Sequence, residues 1–302
     1  MGCGVLRHEA LMYRDGEDFL AAVGAFLEAG LEAGEPVLAA VPEPRLELLH
    51  DRFGEAVRLE DMAELGRNPS RIIPAVRDWL DGQGPRPARF VGEPIWPGRG
   101  PREAAEGLRH EALLNLAFAG DPVSILCPYD MANLEPEVVG DAGLTHPQLV
   151  CDGHTADSAR FSDPEKVYAA ANHQLPPPVE PVSRLPVTHD LAALRDFVAE
   201  RFDGLDESRR FDLLLAVNEA AVNTLVHGDG HGVLSIWHDD GELVCEVSDG
   251  GASIADPLVG RRRPDPLTSH GRGLWMINQV CDLVELHAGP AGTTVRLHMS
   301  LS

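Results

Sequence analysis

Lysine is almost missing from this chain. Lys166 is the only one among 302 residues, and Val167 follows it. A phosphate-gripping P-loop needs a glycine-rich turn that ends in Lys-Ser or Lys-Thr, so that loop is excluded. Positive charge is scarce overall. The 25 Lys and Arg stand against 48 Asp and Glu, a formal net charge of -23. Such a chain repels nucleic-acid phosphates, and direct nucleic-acid binding is not expected. The acidity suits docking of a basic partner as well as plain solubility. Cysteine is sparse: Cys3, Cys127, Cys151, Cys245 and Cys281 are odd in number, scattered, and form no Cys-x-x-Cys pair. That argues against a disulfide framework and for a reducing compartment. No apolar run approaches the ~20 residues of a bilayer span, and the N-terminus lacks a basic start followed by a long apolar stretch. The expectation is a cytoplasmic protein without a membrane segment.

What is there suits two soluble domains. Hydrophobic residues make up 44% and charged residues 24% of a chain long enough to bury two cores. Proline clusters between residues 172 and 186, where neither helix nor ladder pairing is expected. The division is therefore a first domain over 1–170, a linker over 171–186, and a second domain over 187–302. Before the linker, helical and strand patterns alternate. Phe19, Leu20, Val23, Phe26, Leu27 and Leu31 share a helical face over 17–33, and a buried strand follows over 36–41. Helices at 70–80 and 102–119 precede strands at 89–91 and 122–127. This α/β alternation predicts a mostly parallel sheet with helices on both faces. After the linker the order changes. Helices at 189–202 and 206–227 lead into strands at 232–238 and 242–248, a polar loop at 250–270, a helix at 271–281, and strands at 282–288 and 293–299. That order predicts an α/β sandwich.

Four local patterns in the second domain carry chemistry. Glu219 and Asn223 lie four apart on the long helix, beside Leu215, Val222 and Val226. An amide oxygen suits a hard cation such as magnesium, and a carboxylate can take a proton. Alone, such a pair is commonly a solvated face. Ser248-Asp249-Gly250-Gly251 ends a buried strand, where Asp249 can accept from an adenine amino group and Gly251 lets the base approach the main chain. An ordinary turn has the same composition. His270-Gly271-Arg272-Gly273-Leu274-Trp275 opens a helix whose backbone N–H groups can face phosphate. Finally, Thr293 follows Gly292, and its hydroxyl can reach a base through water.

Taken together, residues 183–302 resemble the gyrase, heat-shock-chaperone and histidine-kinase ATPase family. All four of its boxes occur in order. The short form, with one helix before the Glu219/Asn223 helix, is similar to the anti-sigma-factor serine kinases of bacterial partner switching. The resemblance implies ATP and Mg as cofactors. It makes Asn223 the magnesium ligand and Glu219 the kinase base. Asp249, Gly251 and Thr293 would serve the adenine, and Gly271, Arg272, Gly273 and Leu274 would form the phosphate box. It implies a sigma factor and a STAS-type anti-anti-sigma protein as partners, and homodimerisation. One departure is Ser253, where the family often has Gly or Ala. It falls in the segment that the resemblance makes a lid, 252–270, with Arg261, Arg262 and Arg263, which can meet phosphates, meet a partner, or simply be solvated.

The first domain also has a resemblance. His8-Glu9-Ala10-Leu11-Met12-Tyr13, Phe26-Leu-Glu-Ala-Gly30, Gly34-Glu-Pro-Val-Leu38 and Cys127-Pro-Tyr-Asp130 are similar to the MEDS sensory domain, a RecA-like α/β unit without a working P-loop. The likeness spans roughly residues 6–165. It implies sensing of a small-molecule signal and names no ligand.

Other candidates weigh less. Glu111 and Asn115 repeat the four-residue spacing without glycine boxes after them, and read as helix face or domain contact. His146, Cys151 and His154 are close enough in sequence for a metal, but no fourth ligand is suitably spaced. His8 reads as structural, with sensing as its alternative. No Gly-x-Ser-x-Gly elbow supports a hydrolase. Two rival functions stay open. A sensor histidine kinase would need a helical hairpin bearing His173 or His189, and a non-catalytic module would use nucleotide only as a conformational ligand.

Overall fold

A computed structural model describes residues 5–251, 254–265 and 271–301. The chain divides into two compact units, Met1–Ala171 and Asn172–Ser302.

The first unit runs β1 (Arg7–Tyr13), α1 (Gly16–Glu32), β2 (Val37–Val41), α2 (Arg45–Phe53), β3 (Arg58–Asp61), α3 (Met62–Leu65), α4 (Ile72–Gln83), β4 (Ala88–Gly92), α5 (Pro101–Ala117), β5 (Val123–Asp130), α6 (Pro136–Thr145), β6 (Gln148–Cys151), β7 (His154–Asp157) and α7 (Pro164–Ala170). Its seven strands form one sheet in the order β3-β2-β4-β5-β1-β6-β7. Every neighbouring pair is parallel except the β6–β7 hairpin. The α/β alternation thus yields the mostly parallel sheet expected.

Local chemistry explains how the elements start and pack. Asp15 caps α1 by accepting from the backbone N–H groups of Glu17 and Asp18. Phe19, Val23 and Leu27, spaced by four, are fully buried against β1, β2 and β4. Burying each such side chain is worth about 1.5–3 kcal/mol. Leu31, expected on the same face, is 36% exposed instead, because the buried stripe swings round to Gly30 at the helix end. A β-carbon at Gly30 would lie 2.8 Å from Arg89 Cδ and 3.0 Å from Val37 Cγ2, so the helix sits close on the sheet there.

The second unit runs β8 (Ser183–Val187), α8 (Leu191–Ala199), α9 (Glu207–Val226), β9 (Gly232–Asp239), β10 (Glu242–Asp249), α10 (Arg272–Val280), β11 (Leu283–Gly289) and β12 (Gly292–Ser300). Its antiparallel sheet has the order β11-β12-β10-β9-β8. Leu243, Cys245, Val247, Leu297 and Met299 share a core with Leu213, Ala216, Val217, Ala220 and Ala221 of α9. The opposite face is polar yet covered. Arg296 donates to Glu246 at 2.6 Å and to the Pro176 carbonyl at 2.6 Å. The Asn172 amide pairs with the backbone of Ala288.

Two expectations need correction. The stretch 171–186 is not all linker, because Ser183–Val187 pairs with β9. Pro186 is tolerated there since β8 is an edge strand, where a missing N–H removes no ladder bond. Leu215, Val222 and Val226 do not form the buried face of α9. Val226 is 66% exposed, and burial follows Leu213, Ala216, Val217, Ala220, Ala221 and Thr224. Glu219 and Asn223 are half-buried at the edge of that face.

Candidate functional site

Helix α9 starts firmly, with the Asp206 carboxylate accepting from the Arg209 N–H at 2.9 Å. Its second half carries Glu219 and Asn223 one turn apart. Both side chains meet the start of α10. A β-carbon at Gly273 would lie 3.0 Å from Asn223 Oδ1 and 3.1 Å from Glu219 Oε2. Any other residue there would crowd the carboxylate and the amide. Gly271 caps α10 with φ 79°, a left-handed conformation that glycine adopts without strain. The N-terminus of α10 therefore opens beside the Glu219/Asn223 pair, where its first-turn N–H groups and dipole favour an anion.

At the end of β10, Asp249 is pinned from two sides. Its Oδ2 accepts from the Thr224 hydroxyl at 2.9 Å, and its Oδ1 from the Gly251 N–H at 2.8 Å. Each oxygen keeps a lone pair for a further donor. Three glycines make this close approach possible. A β-carbon at Gly228 would fall 2.9 Å from Asp249 Cγ, one at Gly251 2.5 Å from Gly228 Cα, and one at Gly292 only 1.9 Å from the Asp249 carbonyl oxygen. Gly292 also has φ 131°. Directly across the ladder, Thr293 pairs with Asp249.

Between these two ends lies a cavity of about 340 Å³. Asn223, Thr224, Asp249, Gly271, Gly273 and Thr293 line it together with apolar Ala220, Ile254, Val259, Leu274 and Val295. An apolar wall with one carboxylate, Asp249, fits a planar base. Backbone N–H groups at the start of α10 and the Asn223 amide, with the Glu219 carboxylate beside Gly273, fit phosphates and a cation. The residues present therefore fit Mg-ATP. Arg272 sits exposed at the first turn of α10, outside the cavity lining. In the segment after β10, Arg261 is buried, and Arg262 pairs with Asp256 at 3.3 Å. Ser253 and His270 lie outside the described residues.

Thr224 is a residue that sequence reasoning passes over. The available signal is its place on the buried side of α9 beside Asn223, where a hydroxyl needs a partner. His227 and Gly228, at the end of the same helix, also line the cavity.

Comparison with known proteins accounts for both units. Residues 7–147 match the family model described as MEDS, the methanogen/methylotroph, DcmR sensory domain, and residues 187–299 match the histidine kinase-like ATPase domain. The chain joins a MEDS domain to a histidine kinase-like ATPase domain. No curated protein matches it. Among solved structures it is similar to the RsbU and RsbW domains of Rv1364c from Mycobacterium tuberculosis, at 21% identity and a TM-score of 0.31. That match covers 40% of this chain and 32% of the other, so the chain spans about a third of that structure's length.

The MEDS domain rearranges the remaining sequence candidates. Glu111 and Asn115 are not a solvent-facing pair. Glu111 is fully buried and lies 3.1 Å from His8 Nε2, and Asn115 Oδ1 lies 3.2 Å from His8 Nδ1. The trio of His146, Cys151 and His154 separates. His146 is buried before β6, whereas Cys151 and His154 sit on the β6–β7 hairpin, where the His154 ring turns back to the Asp152 carbonyl. Among the described residues, no helix is long and apolar enough to cross a membrane.

Proposed function

We propose that the ATPase domain binds Mg-ATP and works as the kinase half of a partner switch. In this reading it sequesters a sigma factor and phosphorylates a serine or threonine of a STAS-type anti-anti-sigma protein. The MEDS domain biases that choice when it senses a small-molecule signal. The observation that carries the reading is the meeting of Glu219 and Asn223 at Gly273, across the cavity from a doubly pinned Asp249. Bound Mg-ATP supplies the γ-phosphoryl group. Asn223 offers its oxygen to the cation, and Asp249 holds the adenine amino group. The N–H groups at the start of α10 take the phosphates, and Glu219 draws the proton from the attacking hydroxyl. A homodimer and a cytoplasmic location belong to the same proposal.

The histidine-kinase alternative loses ground on geometry. His173 and His189 both lie outside helices, and residues 171–182 contain none. No hairpin therefore carries either imidazole.

The test is phosphotransfer from labelled Mg-ATP to proteins captured from the native lysate by the full-length chain. Glu219→Gln is expected to keep nucleotide binding and to lose about 10²–10⁴-fold in transfer rate, the range for a general base. Undiminished transfer by that variant would refute the assignment of the base. Nucleotide binding without transfer to any partner would leave only the non-catalytic module.

A further inference from the structure

We propose that His8, Glu111, Cys127 and His146 form a buried four-ligand site for a divalent transition cation of the zinc type. The four side chains come from β1, α5, β5 and the turn before β6, and all are fully or almost fully buried. Each offers one ligand atom, and these atoms all lie within 4.8 Å of one another. The separations are 3.1 Å from His8 Nε2 to Glu111 Oε2 and 3.4 Å from His146 Nε2 to the same oxygen. Cys127 Sγ stands 3.4 Å from both His8 Nε2 and Glu111 Oε2. A tetrahedral zinc ion with ligands at about 2.0–2.3 Å puts its ligand atoms about 3.3–3.7 Å apart. Four of the six pairs stand at 3.1–3.4 Å, close to that spacing, and the other two lie within 4.8 Å.

The outer hydrogen bonds settle which ring nitrogens face inward. Asn115 Nδ2 donates to the Thr145 carbonyl at 2.8 Å, so the Asn115 oxygen is the atom that meets His8 Nδ1. His8 Nδ1 therefore carries the hydrogen. His146 Nδ1 lies 2.8 Å from the Ala142 carbonyl, which can only accept, so it carries a hydrogen too. Both imidazoles thus turn Nε2 toward one carboxylate oxygen and one sulfur. Fixing the tautomer through the far nitrogen is what metal-binding histidines require.

Charge points the same way. Without a cation, both Nε2 atoms must be protonated or must set lone pairs against the carboxylate. Two imidazolium ions beside one carboxylate leave net charge where no water reaches, which is costly. A divalent cation with one thiolate, one carboxylate and two neutral imidazoles is neutral. The N₂SO set suits zinc or cobalt and is wrong for calcium or magnesium, which take oxygen ligands. Four protein ligands leave no open position, so the site is structural or regulatory rather than hydrolytic. Tyr129, whose ring meets His146 edge-on at 5.7 Å, also lines a cavity of about 580 Å³, so one side chain separates the cluster from that space.

The test uses the full-length protein, purified without chelator, then stripped and titrated with Co²⁺. One equivalent is expected to bind, with the visible bands of tetrahedral cobalt and a near-ultraviolet thiolate band. Cys127→Ser should remove the thiolate band. Asn115→Ala, which frees the His8 ring, should weaken binding about 10–100-fold. Cys151→Ser should leave the spectrum unchanged. X-ray absorption of the zinc-loaded wild type needs no variant and should give two nitrogen, one oxygen and one sulfur ligand. The proposal is overturned if the wild type takes up no metal, or if the thiolate band survives in Cys127→Ser. In either case the cluster is a buried ion-pair network and nothing more.

Discussion

In the ATPase domain, Glu219 and Asn223 are half-buried, and Asn223 lines a cavity of about 340 Å³ that a ligand can enter. In the MEDS domain, His8, Glu111, Cys127 and His146 are buried and face one another. The first arrangement brings backbone up to a ligand, so it depends on glycine at particular positions. The second brings side chains from four distant segments to one point, so it depends on sheet order: β5 and β6 flank β1, which sets Cys127 and His146 on either side of His8. An exchangeable ligand needs an opening and main-chain contact, whereas a resident one needs only convergence. The two domains can therefore be told apart by which substitutions each tolerates.

The sharpest contrast comes from glycines with positive φ. Gly292→Ala would set a methyl 1.9 Å from the Asp249 carbonyl oxygen at φ 131°. Backbone has to move, and we expect a loss of about 3 kcal/mol or more together with loss of nucleotide binding. Gly34→Ala in the MEDS domain, at φ 69° with no neighbour within 4 Å, should cost about 1–2 kcal/mol from the conformation alone. Urea unfolding of both variants measures the difference. Equal losses would mean that the crowding at Asp249 is not real.

Next in size is Asp249→Asn, which keeps the shape but replaces the charged acceptor. A hydrogen bond to a charged group is worth about 1.5–3 kcal/mol, so ATP affinity should fall about 10–150-fold. Thr224→Val removes only the hydroxyl that donates to Asp249 at 2.9 Å. That bond also ends on the carboxylate, but it orients Asp249 rather than holding the base, so only part of its worth, about 1 kcal/mol or about fivefold, should reach ATP affinity. Calorimetric titration with Mg-ATP separates the two, and a Thr224→Val effect as large as that of Asp249→Asn would make Thr224 a direct ligand contact.

Much of the ATPase site was legible because its demands are local. Gly271, Gly273, Asp249 and Gly251 stand next to the elements they terminate, and a strand end or helix start announces itself within a few residues. Thr224 was not legible, because a threonine on a helix reads the same whether it faces an aliphatic side chain or a carboxylate on β10. The strand Ser183–Val187 was hidden by Pro186, whose tolerance depends on an edge position known only from the assembled sheet. In the MEDS domain, strand and helix periods announced the parallel sheet, but not the cluster. His8 and Glu111 are 103 residues apart, and only the register of β1 with β5 sets Cys127 beside them. His146, Cys151 and His154 looked like a set because they are near in sequence. The β6–β7 hairpin sends two of them to the other end of a strand.

The smallest effects are those of pH, and they too differ between the domains. Glu93 in the MEDS domain is fully buried, and burial pushes its carboxyl up to about 8, against the lowering effects of the Tyr13 hydroxyl and Arg45. Its folded pKa lies above the unfolded value of 4.5, so its stabilisation is complete below pH 4.5 and is lost as pH rises to about 8. His298 in the ATPase domain is buried too, which lowers its pKa. The hydrogen bonds to Glu242 and Glu285, at 2.8 and 2.9 Å, outweigh that and raise it above 6.5. Its stabilisation is complete below pH 6.5 and fades only as pH rises through the higher folded value. Between pH 4.5 and 6.5, then, the MEDS domain should weaken through Glu93 while His298 leaves the ATPase domain unaffected. Trp79 and Trp96 report on the first domain, and Trp237 and Trp275 on the second. Unfolding followed through each pair, with Glu93→Gln and His298→Gln as controls, should show each slope flatten only in its own domain. A Glu93→Gln protein with an unchanged slope would mean that the carboxyl ionises freely inside the fold, and the hydrogen bond from Tyr13 would then be donated to a carboxylate.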